Sequence, residues 1–261
     1  MPLRYLSHLS DERRDLRSDR HLGFVLAFVA GAVNAGGFLA IGFYTSHMTG
    51  IISRMADDLA LGDYVLALAA LVAWISFLMG AATTALMINW ARRRRRRMRS
   101  QYALTLMLEA ALLLLFGLAG AHMAGMRDFM APVTVLLLCF IMGLQNAIIT
   151  KVSGAVIRTT HMTGMSTDMG IELGKLLYYN RKHDEYRDRV PRMLVLANRE
   201  KLKLHATLIA CFFIGGVSGA LGFKHIGYSA TVILSAVLAA LAAGPILHDI
   251  RMFWRYYRIK L

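Results

Sequence analysis

Six apolar stretches dominate this chain of 261 residues: 22–53, 64–91, 129–150, 204–223 and 225–248 carry no Asp, Glu, Lys or Arg, and 100–126 carries only Glu109. A helix rises 1.5 Å per residue, so about 20 residues cross a hydrocarbon core of about 30 Å, and each stretch is long enough. The stretches are built from Leu, Ala, Val, Gly and Met without the period-two alternation of barrel strands. Helices with internally satisfied backbones are therefore the expected form. With 57% hydrophobic and 18% charged residues, the chain is too apolar for a soluble domain of its size.

Orientation follows from the cations. Outside the apolar stretches lie residues 1–21, 44–63, 92–101, 120–131, 151–203, 224–228 and 249–261, with 5, 1, 7, 1, 11, 1 and 4 Lys and Arg. Placing the odd-numbered segments in the cytoplasm puts 27 of the 30 cations inside, the pattern of a six-span protein with both termini cytoplasmic. The net charge of +14 and the run Arg92 to Arg97 then belong to span flanks facing anionic lipid headgroups, and no nucleic-acid partner is expected. The first 21 residues, where Arg13, Arg14, Arg17 and Arg20 alternate with Asp11, Glu12, Asp15 and Asp19, form a cytoplasmic arm. Cys139 and Cys211 are the only cysteines, both in spans, so no disulfide framework, zinc motif or other metal site is expected. No cofactor is expected either.

An internal repeat divides the chain. Thr45-Ser46-His47-Met48-Thr49-Gly50 recurs as Thr159-Thr160-His161-Met162-Thr163-Gly164, and Gly31-x-x-Asn34-Ala35 recurs as Gly143-x-x-Asn146-Ala147. Phe77-x-x-Gly80 aligns with Phe213-x-x-Gly216, and Met107-Leu108-Glu109-Ala110 with Ile233-Leu234-Ser235-Ala236. Three spans per copy is an odd number, so the copies enter the membrane from opposite sides. The expected fold is an all-α membrane protein of two inverted three-helix repeats, 22–125 and 126–248, with a cytoplasmic insertion at 178–203 and a cytoplasmic tail at 249–261. Inverted repeats are common in secondary transporters, with the site near the midplane where the repeats meet.

A straight first helix would carry His47 about 38 Å from Leu22, beyond the hydrocarbon thickness. The helix must break first, with Gly36-Gly37 and Ser153-Gly154 as the expected points. The hydroxyls of Thr45-Ser46 and Thr159-Thr160 would then cap the following short helices, whose free amides suit an anion or carboxylate.

Gly143-Leu144-Gln145-Asn146-Ala147, Arg158-Thr159-Thr160-His161-Met162-Thr163-Gly164 and Thr167-Asp168-Met169-Gly170-Ile171-Glu172-Leu173-Gly174 closely resemble the YoaK-like family of bacterial inner-membrane proteins. The resemblance covers about residues 21–246 and implies a six-helix inner-membrane protein with no established activity. Asn34 stands where the family frequently has Asp, and Ile51 where it has Asn.

These features make a small-molecule or ion transporter or channel the leading expectation, an anionic solute among the candidates. A non-transporting membrane scaffold or regulator is the alternative. Candidate solute-binding residues are Asn34, His47, Thr49, Gln145, Asn146, His161 and Thr163; candidate proton carriers are Glu109, Asp168 and Glu172. Arg54 and Asp58 occupy the positions of Asp168 and Glu172 in the first copy, which raises an Arg54–Asp168 pair across the pseudo-two-fold. Groups such as Gly80-Ala81-Ala82 and Gly215-Gly216-x-x-Gly219 suit close helix packing. Self-association stays open. No nucleophile elbow or phosphate loop is present, so an enzyme is not expected.

Overall fold

The computed structural model describes residues 16–93, 100–122, 127–178 and 195–260. They form α1 (Leu16–Ile41), α2 (Met48–Leu61), α3 (Tyr64–Arg93), α4 (Ala103–His122), α5 (Arg127–Val152), α6 (Met162–Leu177), α7 (Arg199–Ile226) and α8 (Ala230–Lys260). A 3-10 turn, Gly227–Ser229, joins the last two, and no strand occurs among the described residues. Most of the N-terminal arm, the run from Arg94 to Arg97 and residues 179–194 of the insertion lie outside the described residues. By length and composition, five stretches are apolar enough to cross a membrane: Ser18–Ala40, Tyr64–Arg93, Ala103–Gly120, Pro132–Val152 and Arg199–Trp254. The last is 56 residues long and contains both α7 and α8.

The long helices pair across the two halves of the chain. Helix α1 packs on α7, α3 on α5 and α4 on α8, whereas long helices of the same half make little or no contact. The core where these pairs meet includes Leu26, Val29, Leu106, Leu138, Ile141, Leu208 and Leu238. Helix α2 lies on α3 and α6 on α7. At one end of the bundle, Arg20 Nη1 on α1 reaches Glu200 Oε2 on α7 at 3.0 Å, and the Ser100 amide before α4 donates to Asp249 Oδ2 on α8 at 2.9 Å. Helix α8 continues without interruption through the tail to Lys260.

Lipid tails are as apolar as leucine, so helix association in a membrane depends on backbone approach at small residues. Such approach occurs here twice over. A Cβ on Gly31 would strike the carbonyl of Phe212, and one on Gly143 the carbonyl of Phe77. Likewise Gly215 lies against the Phe28 carbonyl, and Gly80 against the Phe140 carbonyl. These contacts correct the expected register by one residue: the counterpart of Phe77-x-x-Gly80 is Phe212-x-x-Gly215. Gly216 itself meets nothing closer than Ala35 Cβ and the Gly31 carbonyl at 3.7 Å, an ordinary contact. Phe212-Phe213 and Gly215-Gly216 are doubled residues, so either alignment satisfies the sequence and only the packing separates them.

The third pair is tied by Ser235 Oγ donating to the Ala110 carbonyl at 2.7 Å. Phe116, Phe223 and Tyr228 cluster where α4, α7 and the 3-10 turn meet, with Phe116 and Tyr228 edge-to-face at 5.6 Å.

The second expected break is found and the first is displaced. Helix α5 ends at Val152, followed by Gly154 at φ 61° and Ala155 at φ 68°, with the Ala155 amide donating to the Thr150 carbonyl at 2.8 Å in the manner of a left-handed helix stop. Helix α1, however, runs through Gly36-Gly37 and stops at Ile41, where Gly42 has φ 72°. Gly36 admits the ring of Phe223, and Gly37 lies beside Leu138; these glycines serve packing.

Candidate functional site

Each break presents the same construction. Asn34 Oδ1 accepts from the Ser46 amide at 3.2 Å and from Ser46 Oγ at 2.8 Å. Asn146 Oδ1 accepts from Thr160 Oγ1 at 2.8 Å, while its Nδ2 donates to the Met142 carbonyl at 2.9 Å. The helix amides thus hold the segment that follows their own helix. His47 and His161 are the N-cap residues of α2 and α6, at φ −91°, ψ 66° and φ −83°, ψ 58°. Their carbonyls accept from Ile51 and Met165 at 3.0 and 3.1 Å, and neither helix has a side-chain cap. The expected hydroxyl caps are absent because Ser46 and Thr160 bond to the asparagines instead. Both imidazoles lie across the first helical turn, and a Cβ on Gly50 or Gly164 would strike the ring. That contact explains the His-x-x-Gly spacing. Thr45 and Thr159 are fully buried, and their hydroxyls have no hydrogen-bond partner among the described residues.

The other candidates are dispersed. Thr49 and Thr163 are exposed and Asn34 and Asn146 half-buried, each asparagine bonded within its own half. Gln145 is buried, its Nε2 donating to the Leu26 carbonyl at 3.1 Å and its Oε1 without a partner among the described residues. Glu109 is 1% exposed with neither carboxyl oxygen hydrogen-bonded among the described residues, and Thr105 one turn earlier is also buried with no partner among them.

Chemistry converges at the start of α6. A cleft of about 370 Å³ is lined chiefly by Arg158, His161, Thr167, Asp168 and His205. Asp168 Oδ2 lies 3.1 Å from Lys201 Nζ and 3.9 Å from His205 Nδ1, both on α7. Arg158 is exposed and has no partner among the described residues. The Arg54–Asp168 pair is not formed. Arg54 Nε instead lies 3.7 Å from Asp58 Oδ2 one turn along its own helix, and Asp168 turns to the adjacent α7.

Glu172, one turn beyond Asp168, joins α6 to the start of α7. Its Oε2 accepts from the Asn198 amide at 2.7 Å and its Oε1 from Lys175 Nζ at 3.0 Å. The Asn198 amide foremost, then Lys175, holds this carboxyl below its usual range. Asn198 in turn caps α7, its Oδ1 accepting from the Lys201 amide at 3.0 Å.

The first half has an equivalent groove of different character. It measures about 650 Å³ and is lined by Phe43, Arg54, Leu66, Ala70, Pro132 and Leu136 among others. The short helices correspond at an offset of 114 (161 minus 47), and α3 and α7 at 135 (215 minus 80). By those offsets Asp168 matches Arg54, Lys201 matches Leu66 and His205 matches Ala70. The second-half cleft is therefore the polar one. Lys201 and His205 escaped the sequence reading because they belong to no repeated motif and lie 33 and 37 positions from Asp168 (201 minus 168, 205 minus 168) on another helix. Among the described residues, no three His, Cys, Asp or Glu side chains gather as metal ligands.

No curated protein and no solved structure matches the chain. The sequence model of one family, described as a protein of unknown function, matches residues 22–244 and so takes in both breaks and at least part of every paired long helix. With that match spanning most of its length, the chain belongs to the DUF1275 family.

Proposed function

We propose that the chain is a secondary transporter or channel for a small solute. In this reading it has six spans in two inverted repeats, with both termini cytoplasmic, in a bacterial inner membrane like the YoaK-like proteins it resembles. A single 56-residue helix would be about 84 Å long, far more than one crossing requires, and the turn at Gly227 supports counting two spans there. One observation carries the reading: the same backbone contacts, Gly31 on Phe212 and Gly143 on Phe77, recur at repeat-related positions. Transporter folds commonly pair repeats about such an axis. The polar cleft then opens to the cytoplasm, with Arg158, His161, Asp168 and His205 meeting the solute. Glu109 is the proton carrier within the bundle.

A specific observation favours the second reading, a non-transporting scaffold: Asn34 and Asn146 each bond to their own break. Uptake by proteoliposomes from a panel of small metabolites and ions separates the two. Flux that falls in His161→Ala, with helix content and thermal transition retained, supports transport. A folded protein that moves nothing in the panel leaves the scaffold reading, and flux indifferent to the His47→Ala/His161→Ala double variant removes the two histidines from the solute path.

A further inference from the structure

We infer that the cleft beside α6 binds a phosphate group. The inference rests on the orientation proposed above only for its placement on the cytoplasmic side.

The charge balance of the cleft selects an anion. Lys201 at 3.1 Å neutralises Asp168, which leaves the unpaired guanidinium of Arg158 as the surplus charge. A planar guanidinium offers paired donors that match phosphate oxygens. Helix α6, 16 residues long, opens into the same cleft without a side-chain cap, so the amides of Met162, Thr163 and Gly164 have no acceptor within the helix. Free amides at a helix N-terminus attract anions through both hydrogen bonds and the helix dipole.

A second observation is independent of the helix end. His205 lines the cleft at 5% exposure, and its Nδ1, 3.9 Å from Asp168 Oδ2, has no hydrogen-bond partner among the described residues. A buried ring nitrogen without a hydrogen bond costs stability unless something completes it. The first-half groove lacks these parts. Tyr44, Leu66 and Ala70 stand at the positions of Arg158, Lys201 and His205, and the one cation there, Arg54, already faces Asp58 at 3.7 Å.

Two sources can supply the phosphate. Val156, Ile171, Leu173 and Leu177, beside the cleft and along α6, are exposed and apolar, which suits a helix lying among lipid headgroups. A volume of about 370 Å³ also exceeds what bare phosphate fills, leaving room for the organic part of a soluble phosphate ester.

The test uses the full chain. In neutral detergent it is titrated with inorganic phosphate and with glycerol phosphate by calorimetry. In nanodiscs of phosphatidylcholine with phosphatidylglycerol, against phosphatidylcholine alone, retained lipid is counted by native mass spectrometry. Arg158→Ala should weaken whichever ligand binds by about tenfold or more, Arg158→Lys should restore part of it, and Arg54→Ala should match the native protein. Saturable binding of the soluble phosphates identifies a free solute; retention of phosphatidylglycerol alone identifies a headgroup. If neither binds, or if folded Arg158→Ala and Arg158→Lys both bind as the native chain does, the inference is overturned. Arg158-dependent binding without flux in any assay would remove transport and keep the phosphate site, whereas flux without such binding would do the reverse.

Discussion

Glycine 215 and its neighbour Gly216 differ by one position and should differ sharply in tolerance. A methyl group on Gly215 meets the Phe28 carbonyl, which cannot yield without moving a helix, whereas one on Gly216 finds ordinary contacts at 3.7 Å. Overpacking a tight contact costs about 1–3 kcal/mol, so Gly215→Ala should lower the thermal transition in detergent while Gly216→Ala leaves it nearly unchanged. Equal effects would contradict the corrected register. Glu172 supplies a pH test. Its folded-state carboxyl titrates below the ordinary value of 4.5, so its stabilising contribution is complete above that value and is lost as pH falls below it toward the folded value. Hydrogen exchange at the α6–α7 junction should accelerate over that acid range in the native chain. Glu172→Gln should exchange faster at neutral pH and show no such acid step; an unchanged acid step would assign it to another group. Of these residues, Glu172 was legible in the sequence, but its principal partner, the Asn198 amide, lies 26 positions away within the insertion and has no sequence signature.

At the level of elements, the existence of two broken helices followed by short helices could be read from length alone, since an unbroken helix would overshoot the membrane. The place of the first break could not. Gly36-Gly37 and Gly42 are equally permissive residues, and what decides between them is that Phe223 and Leu138 occupy the space beside the first pair. The role of the asparagines was likewise hidden, because an amide near a break reads the same whether it lines a solute path or ties the backbone. Here Asn146 meets Thr160 at 2.8 Å. A double-mutant cycle of Asn146→Ala with Thr160→Val should give a coupling of about 0.6 kcal/mol, the usual size for an interhelical hydrogen bond in a membrane. The single Asn146→Ala change should also speed exchange in the first turn of α6. Additive effects would mean that the bond does not hold the break.

The whole molecule is where sequence reading reaches least far. Repeats and charge bias were visible, but not which helices pair, because an apolar residue facing lipid and one facing protein look alike. Helix α3 illustrates this: Leu68, Leu78 and Leu86 are exposed, while the smaller Ala70 and Ala73 are buried against their neighbours. With Cys139 and Cys211 replaced, His47→Cys and His161→Cys, both at exposed positions, should label with impermeant maleimide from opposite faces of oriented vesicles. Labelling of both from one face would exclude the inverted arrangement. The pairing of α1 with α7 and α3 with α5 also bears on how the protein is made. When a ribosome has released only the residues up to 122, the glycine notches at Gly31 and Gly80 face lipid, since the carbonyls that fill them belong to Phe212 and Phe140. The early helices must wait in the bilayer, open to capture by insertases or quality-control proteases, until the later ones arrive. A fragment ending near residue 122 should therefore be degraded when produced alone and rescued when the remaining segment is supplied from a second transcript.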